Sequence, residues 1–141
     1  MSGTANHILL IAHAPLAQAL RDCAVHVFAD CVSDISVLDV PPDEAPETTL
    51  ATARALLAQS GAERTLVLAD VLGATPSNVA HRLVEGTAAC LLVGVNLPML
   101  LRAICYRHEP LAQQAQRALT GGQQGMLQTG GAAPNQLTSQ N

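Results

Sequence analysis

The chain has 141 residues, the size of one ordinary domain, and 49% of them are hydrophobic, which is enough to form a core. It contains one phenylalanine, one tyrosine and no tryptophan, so it lacks the aromatic platforms on which proteins stack single-stranded nucleic acid. The net charge of -4 and the lack of any basic cluster also argue against a nucleic-acid partner. We therefore expect an aliphatic core.

The beginning of the chain carries no targeting signal that we recognise. Residues 1–6 are small and polar, and the apolar run after them is too short for a signal peptide or a membrane span. We expect a cytoplasmic protein that does not insert into a membrane. The cysteines lie in apolar segments without C-x-x-C spacing, so we expect buried free thiols and no metal site. These cysteines are Cys23, Cys31, Cys90 and Cys105.

The first half of the chain alternates between strand and helix patterns. Residues 7–12 form an apolar run that predicts a buried strand, and residues 15–29 carry apolar side chains at helical spacing. Residues 35–40 predict a second strand. Residues 47–60 predict a second helix, and Gly61 follows it at the position where a left-handed residue often ends a helix.

The second half repeats this alternation. Residues 65–69 predict a third strand that ends at Asp70. Thr75 as N-cap and Pro76 as first helical residue predict a helix that reaches about Glu85. The remaining predicted elements are a strand over 88–95 and helices over 98–106 and 110–119. This order predicts a single-domain α/β fold with a doubly wound, mainly parallel four-stranded sheet and helices on both faces.

The composition changes after Gly121. Residues 129–141 are rich in Gly, Gln, Ala, Ser and Thr, and we expect a disordered tail there. The folded domain is therefore predicted over residues 1–128. Within it, Gln123 to Gln128 is a candidate for an additional antiparallel edge strand.

Polar residues stand at three predicted strand ends, namely His13, Asp70 and Asn96. Ligands of open α/β sheets bind beyond the carboxyl ends of the strands, so His13 and Asp70 flank one crevice if the first and third strands are neighbours. A carboxylate that accepts one imidazole N–H fixes the tautomer and leaves the other ring nitrogen free as a nucleophile. The plain alternative is that both residues merely close turns.

The surrounding segments offer donors for an anion. Thr75 and Ser77 supply hydroxyls, and the helices that begin near Pro76 and Pro15 expose backbone N–H groups. Ordinary helix capping explains the same residues without any function. Of the other histidines, we expect His7 at a surface or interface, and the rest to be structural or solvated; these are His26, His81 and His108.

Three segments of the chain resemble one known family. They are Ile8 to His13 with Leu16, Ala17 and Leu20 after it; Leu66 to Asp70 with Gly73 to Ala80 after it; and Gly94 to Leu100. Together they resemble the enzyme IIA domain of the mannose family of the bacterial phosphoenolpyruvate-dependent sugar phosphotransferase system. The resemblance covers residues 7 to about 128.

The resemblance implies a phosphoryl carrier. His13 would accept a phosphoryl group from phospho-HPr and pass it to a separate IIB protein or a kinase subunit, with Asp70 orienting His13 and Thr75 beside the phosphoryl group. It implies no cofactor, because the donor is already an activated phosphohistidine. It also implies a homodimer in which an edge strand, here Gln123 to Gln128, is exchanged between subunits.

Two departures from the family pattern accompany the match, since Ala14-Pro15 follows the histidine where a glycine is usual, and Gly73-Ala74 replaces a pair of glycines. Neither removes a reacting group. Two alternatives stay open from the sequence. One is a regulatory binding module whose partner affinity changes when His13 is phosphorylated, and the other is a small hydrolase that uses Ser77 or His13.

Overall fold

A computed structural model describes residues 4–132 of the chain. The strands are β1 (His7–His13), β2 (Ile35–Val40), β3 (Thr65–Ala69) and β4 (Cys90–Val93). The α-helices are α1 (Leu16–Val27), α2 (Pro46–Ser60), α3 (Thr75–Val84), α4 (Leu97–Cys105) and α5 (Leu111–Gln124), and a 3-10 helix covers Ala29–Asp34. The order of strands and helices agrees with the alternation predicted from the sequence.

The four strands form one sheet in the order β2-β1-β3-β4, and every pair is parallel. The chain winds outward from β1 to β2 and then returns past β1 to place β3 on its other side. The boundary between β1 and β3 is therefore the topological switch point, where the crevice of such sheets opens. The predicted fold class is confirmed, and β1 and β3 are neighbours.

Helices cover both faces of the sheet because successive side chains of a buried parallel strand point to opposite faces. Leu10 and Leu68 belong to the core beneath α1, α4 and α5. Leu9 and Val67 belong to the core beneath α2 and α3. These four side chains have no exposed surface. Both cores are aliphatic, as the composition predicts.

Two element boundaries differ from the prediction for local reasons. Helix α1 stops at Val27 rather than at 29, because Phe28 leaves the helical conformation and its carbonyl accepts the N–H of Cys31, which starts the 3-10 helix. Strand β4 is shorter than 88–95. The N–H groups of Gly94 and Val95 both donate to one carbonyl, that of Ala69, at 2.9 and 3.0 Å, which ends the regular ladder.

The C-terminal helix is longer than predicted, and this replaces the expected edge strand. Gln123 and Gln124 are the last residues of α5, and residues 126–128 have no regular structure, so Gln123 to Gln128 forms no strand in this chain. Helix α5 continues because buried Gly121 and Gly122 let it approach α4 closely. Strand exchange between subunits stays a prediction.

Of the predicted tail, residues 129–132 are exposed, and 133–141 lie outside the described residues.

Two expectations about single side chains were wrong. Cys31 is buried and Cys90 half-buried, but Cys23 and Cys105 lie on the outer faces of α1 and α4 and are exposed. All four are free thiols. His7 is buried rather than at the surface, and its Nε2 lies 2.7 Å from the Ser36 hydroxyl on β2, because the first residue of β1 is already inside the sheet.

Within residues 4–132, no group of three or more His, Cys, Asp or Glu side chains is placed to hold a metal ion. In the same part of the chain, no helix combines the length and the apolar character needed to cross a bilayer.

Candidate functional site

His13 and Asp70 meet at the switch point of the sheet. His13 is the last residue of β1, and Asp70 directly follows β3. The His13 Nδ1 lies 2.7 Å from Asp70 Oδ2, and the backbone N–H of His13 donates to the same oxygen at 3.0 Å. The predicted pairing is thus present in the structure, because the parallel register between β1 and β3 brings both strand ends to one edge.

The Asp70 carboxylate is buried but well supplied with donors. Its other oxygen, Oδ1, accepts the N–H of Val71 at 2.8 Å. Burial alone would raise the pKa of Asp70, but the hydrogen bonds from the backbone and ring of His13 and from Val71 outweigh it and lower the pKa below its ordinary value. Asp70 is therefore an anion at neutral pH, and an anion holds the N–H of His13 on Nδ1.

The other ring nitrogen of His13 faces outward. Among residues 4–132, no group makes a hydrogen bond to His13 Nε2, and the side chain is 54% exposed while that of Asp70 is 6% exposed. With the proton held on Nδ1, Nε2 carries the lone pair. The arrangement can act as a nucleophile toward a reactant from solution, and the anion beside it stabilises the ring when it becomes positively charged.

The loop after Asp70 positions helix α3 beside this pair. Ser77 is fully buried, its hydroxyl accepts the N–H of Gly73 at 3.1 Å, and it donates to the carbonyl of Ala74 at 3.0 Å. Ser77 thus holds the loop and is not available as a nucleophile, which removes the Ser77 form of the hydrolase alternative. The Asn78 amide adds a longer bond, of 3.4 Å, to the carbonyl of Gly73.

The predicted N-cap of α3 was wrong by one residue. The N–H of Asn78 donates to the carbonyl of Ala74 at 3.0 Å, which makes Ala74 the N-cap and Thr75 the first helical residue. Thr75 is half-buried, and its hydroxyl has no partner within residues 4–132. The N–H of Thr75 also lacks an acceptor in this part of the chain. The N-terminus of α3 is therefore open to an anion.

The N-terminus of α1 differs from the expectation, because an acidic side chain already occupies it. Asp39 of β2 accepts the N–H of Ala17 at 2.8 Å and that of Gln18 at 3.4 Å through one oxygen, Oδ1. The predicted anion site after Pro15 is therefore filled by the protein itself. Sequence reasoning missed Asp39, although a lone carboxylate near the end of an apolar strand is a signal that could have drawn attention to it.

Asn96 has a structural role. Its side chain accepts the N–H of Met99 at 2.9 Å as the N-cap of α4, and it donates to the carbonyl of Gly122 at 3.0 Å. Of the three polar strand ends, only His13 and Asp70 are therefore paired with each other.

Apolar side chains are exposed next to His13 and Asp70. Val71 and Leu72, directly after Asp70, are 56% and 74% exposed, and Leu16, shortly after His13, is 39% exposed. Exposed apolar surface of this kind is typical of contact regions for other proteins.

A cleft of about 450 Å³ lies on the α4–α5 side and includes none of the predicted site residues. It is lined by Arg102, Gln113, Gln116, Arg117 and Thr120.

Comparison with known proteins places this geometry in a family. The model of the family described as the PTS system fructose IIA component matches residues 7–119, which are most of the chain. The chain belongs to this family of phosphotransferase-system IIA components. This confirms the resemblance found in the sequence, and the matched range includes His13, Asp70 and Thr75. No curated protein sequence matches the chain.

Solved structures share the fold. The mannose/sorbose specific IIA subunit of the phosphotransferase system from Enterococcus faecalis is 23% identical, with a TM-score of 0.81, over 92% of this chain and 98% of that one. The PTS IIA protein associated with the fucose utilization operon of Streptococcus pneumoniae is 18% identical, with a TM-score of 0.77, over 91% and 96%. A sigma-54 interaction domain protein from Enterococcus faecalis is 14% identical, with a TM-score of 0.72, over 89% and 95%. At these identities the likeness shows the fold alone.

Proposed function

We propose that the protein is a phosphoryl carrier in which His13 Nε2 accepts a phosphoryl group from phospho-HPr and passes it to a separate IIB protein or a kinase subunit. The observation that carries the proposal is the 2.7 Å contact between His13 Nδ1 and the buried Asp70 carboxylate. Because Asp70 contacts only Nδ1 of the ring, Nε2 has no hydrogen-bond partner in the described chain, and the side chain of His13 is exposed. The family match supports the same chemistry, because the chain is a IIA component of the phosphotransferase system.

The transfer needs no metal ion and no organic cofactor. The lone pair of Nε2 attacks the phosphorus of phospho-HPr, the phosphorus–nitrogen bond of the donor breaks, and the HPr imidazole leaves with the bonding electrons. The His13 ring then carries positive charge, which Asp70 stabilises through Nδ1–H. Donation to the acceptor reverses these steps, with His13 as the leaving group.

The N-terminus of α3 is the place for the phosphoryl oxygens in this proposal. The unpartnered hydroxyl and the free N–H of half-buried Thr75 supply neutral donors in the described chain. Such donors and the positive end of a helix stabilise a developing negative charge without a lysine or arginine. The proposal thus gives Thr75 the role that the resemblance implies.

The open position of His13 suits a protein donor and a protein acceptor. An enclosed pocket would exclude a second protein, whereas His13 is more than half exposed and apolar residues flank both reacting groups. We propose that Leu16, Val71 and Leu72 contact HPr and the acceptor in turn. We also propose a cytoplasmic homodimer, as the resemblance implies.

Phosphorylation in a reconstituted system tests the proposal directly. The protein is incubated with phosphoenolpyruvate, enzyme I and HPr, and its intact mass is compared with that of His13→Ala and of His81→Ala, an exposed histidine of α3. We expect one acid-labile phosphoryl group on the wild type and on His81→Ala, and none on His13→Ala. Equal labelling of His13→Ala, or no labelling of the wild type with several HPr proteins, would overturn the proposal.

A pull-down addresses the regulatory alternative. Phosphorylated and unphosphorylated protein are each offered the same candidate acceptor proteins. A carrier releases an acceptor after transfer, so we expect weak capture in both states. Strong capture that depends on the phosphorylation state would favour a regulatory module over a carrier.

A further inference from the structure

We infer that Asp39 is a positioning residue of the phosphoryl site, which closes the N-terminus of α1 to anions and so confines the phosphoryl group to the α3 side of His13. The inference rests on the proposed function and adds to it a residue outside the His13–Asp70–Thr75 set. It begins from the contact of Asp39 Oδ1 with the N–H groups of Ala17 and Gln18.

Helix α1 has no capping side chain of its own. Its N-cap is Pro15, which makes no side-chain hydrogen bond, so the first amides of the helix depend on an acceptor from elsewhere. Asp39 supplies that acceptor from β2. A carboxylate at this position satisfies the amides and cancels the positive end of the helix dipole.

The position of Asp39 in the sheet explains why its hydrogen bonds to the α1 amides affect His13. Asp39 pairs with Ala12 and Val40 pairs with His13 in the parallel register of β1 and β2. The N–H of Ala14 donates to the Val40 carbonyl at 3.1 Å, so the turn after His13 is held by β2 at Ala14 and again at Ala17. The turn is thus fixed at Ala14, just before Pro15, and at Ala17, two residues after it.

The two side chains lie on opposite faces of the sheet. Leu9 and Ile11 belong to the core under α2 and α3, and by strand alternation His13 points toward that same side. Asp39 points toward α1, as its bond to Ala17 shows. Two helix N-termini therefore face this edge of the sheet. The one on the His13 side is open, and the one on the other side is closed by a negative charge.

The negative charge has a consequence for the phosphorylated state. A phosphoryl group on His13 is an anion, and a free α1 N-terminus would stabilise it in addition to α3. With Asp39 in place this stabilisation is absent, so the phosphoryl group stays easier to transfer onward. Asp39→Asn keeps an oxygen for the α1 amides but removes the charge, so it separates the two roles of Asp39.

The exchange equilibrium between phospho-HPr and the protein provides the first test. We compare the wild type, Asp39→Asn and Glu63→Gln; Glu63 is an exposed residue before β3, at the opposite edge of the sheet, so this control changes the net charge equally away from the site. We expect Asp39→Asn to shift the equilibrium toward the phosphorylated protein by about two- to fivefold, the usual size of a charge effect at a helix end. Glu63→Gln should leave the equilibrium unchanged. Equal constants in all three proteins, with normal labelling of the wild type, would make Asp39 a structural cap only.

A second test is independent of HPr. Inorganic phosphate is titrated into unphosphorylated protein, and backbone amide resonances are followed by NMR. We expect no phosphate-dependent shift at Ala17 and Gln18 in the wild type, and clear shifts at both in Asp39→Ala, or in Asp39→Val, which also removes the capping oxygen, if the alanine variant does not fold. Shifts of equal size in wild type and variant, or none in the variant, would overturn the inference. Failure of wild-type phosphorylation by phospho-HPr would overturn the proposed function instead.

Discussion

The substitution Asp70→Asn isolates the charge of the carboxylate from its shape. Asp70 receives three N–H groups, namely the ring and backbone N–H of His13 and the backbone N–H of Val71. Asparagine offers one oxygen and one NH2 group, so at least one of these donors faces another donor. If that donor is Nδ1–H, the ring tautomer reverses and Nε2 loses its lone pair.

The size of the effect follows from the bond that is lost. A hydrogen bond to a charged group contributes about 1.5–3 kcal/mol. In the transfer step the His13 ring becomes positive, so this loss falls on the transition state and predicts a rate of phosphoryl uptake about 10- to 150-fold lower. The substitution Asp70→Asn also leaves a buried N–H donor without an acceptor, so we expect a moderately lower Tm.

The assay is rapid-quench phosphorylation by phospho-HPr under single-turnover conditions, with Asp22→Asn as the control for net charge. Circular dichroism at the assay temperature shows that each variant is folded. A rate for Asp70→Asn within twofold of the wild type would refute the orienting role of Asp70. A similar drop in Asp22→Asn would show that net charge alone controls the encounter with HPr.

Three further predictions concern other parts of the molecule. Thr75→Val should slow phosphoryl uptake by about 2- to 10-fold with little change in Tm, because the Thr75 hydroxyl has no partner in the described chain. Ser77→Ala should lower Tm, because it removes the two hydrogen bonds that the Ser77 hydroxyl makes in the loop. Rapid-quench phosphorylation and thermal melts measure the two effects. Burial lowers the pKa of His7 in the folded protein, and the charge of Asp34 opposes this shift only in part. The contribution of His7 to the free energy of unfolding is therefore complete above about pH 6.5 and declines as the pH falls from there toward the lower pKa of the folded state. Urea unfolding at several pH values should show this decline in the wild type and a smaller one in His7→Gln. Gly122→Val should lower the free energy of unfolding by about 1–3 kcal/mol, because a Cβ at this position would lie 3.0 Å from the Met99 Cβ. Gln123→Val, on the exposed side of α5, should lower it only through the poorer helix propensity of valine. Equal losses in both variants would contradict the close packing of α4 and α5.

Local patterns in the sequence were sufficient to predict the secondary-structure elements and the candidate pair His13 and Asp70. The short length of apolar runs such as 65–69 favours buried strands over helices. Their alternation with helical patterns leaves few topologies other than a doubly wound sheet. His13 and Asp70 were predicted because each directly follows such a run. Their direct contact also required β1 and β3 to be neighbours, which the sequence left as a condition and the structure shows.

Boundaries and caps were less predictable, because they depend on single hydrogen bonds. The N-cap of α3 moved from Thr75 to Ala74, since the first helical bond runs from Asn78 to Ala74. Gly121 and Gly122 look like the end of a helix in the sequence, yet they lie inside α5. A glycine pair weakens an isolated helix, but here it allows α4 and α5 to approach closely, and packing outweighs propensity.

The sequence by itself therefore determined the order of strands along the chain, the aliphatic core and the candidate site residues His13 and Asp70, because these follow from local pattern and residue type. Only the tertiary structure decided which helix N-terminus is open. That question depends on Asp39, which lies far from Ala17 in the chain but beside it across β1 and β2. No local pattern encodes a contact of this kind, since it exists only when parallel strands and their crossover helix have packed together.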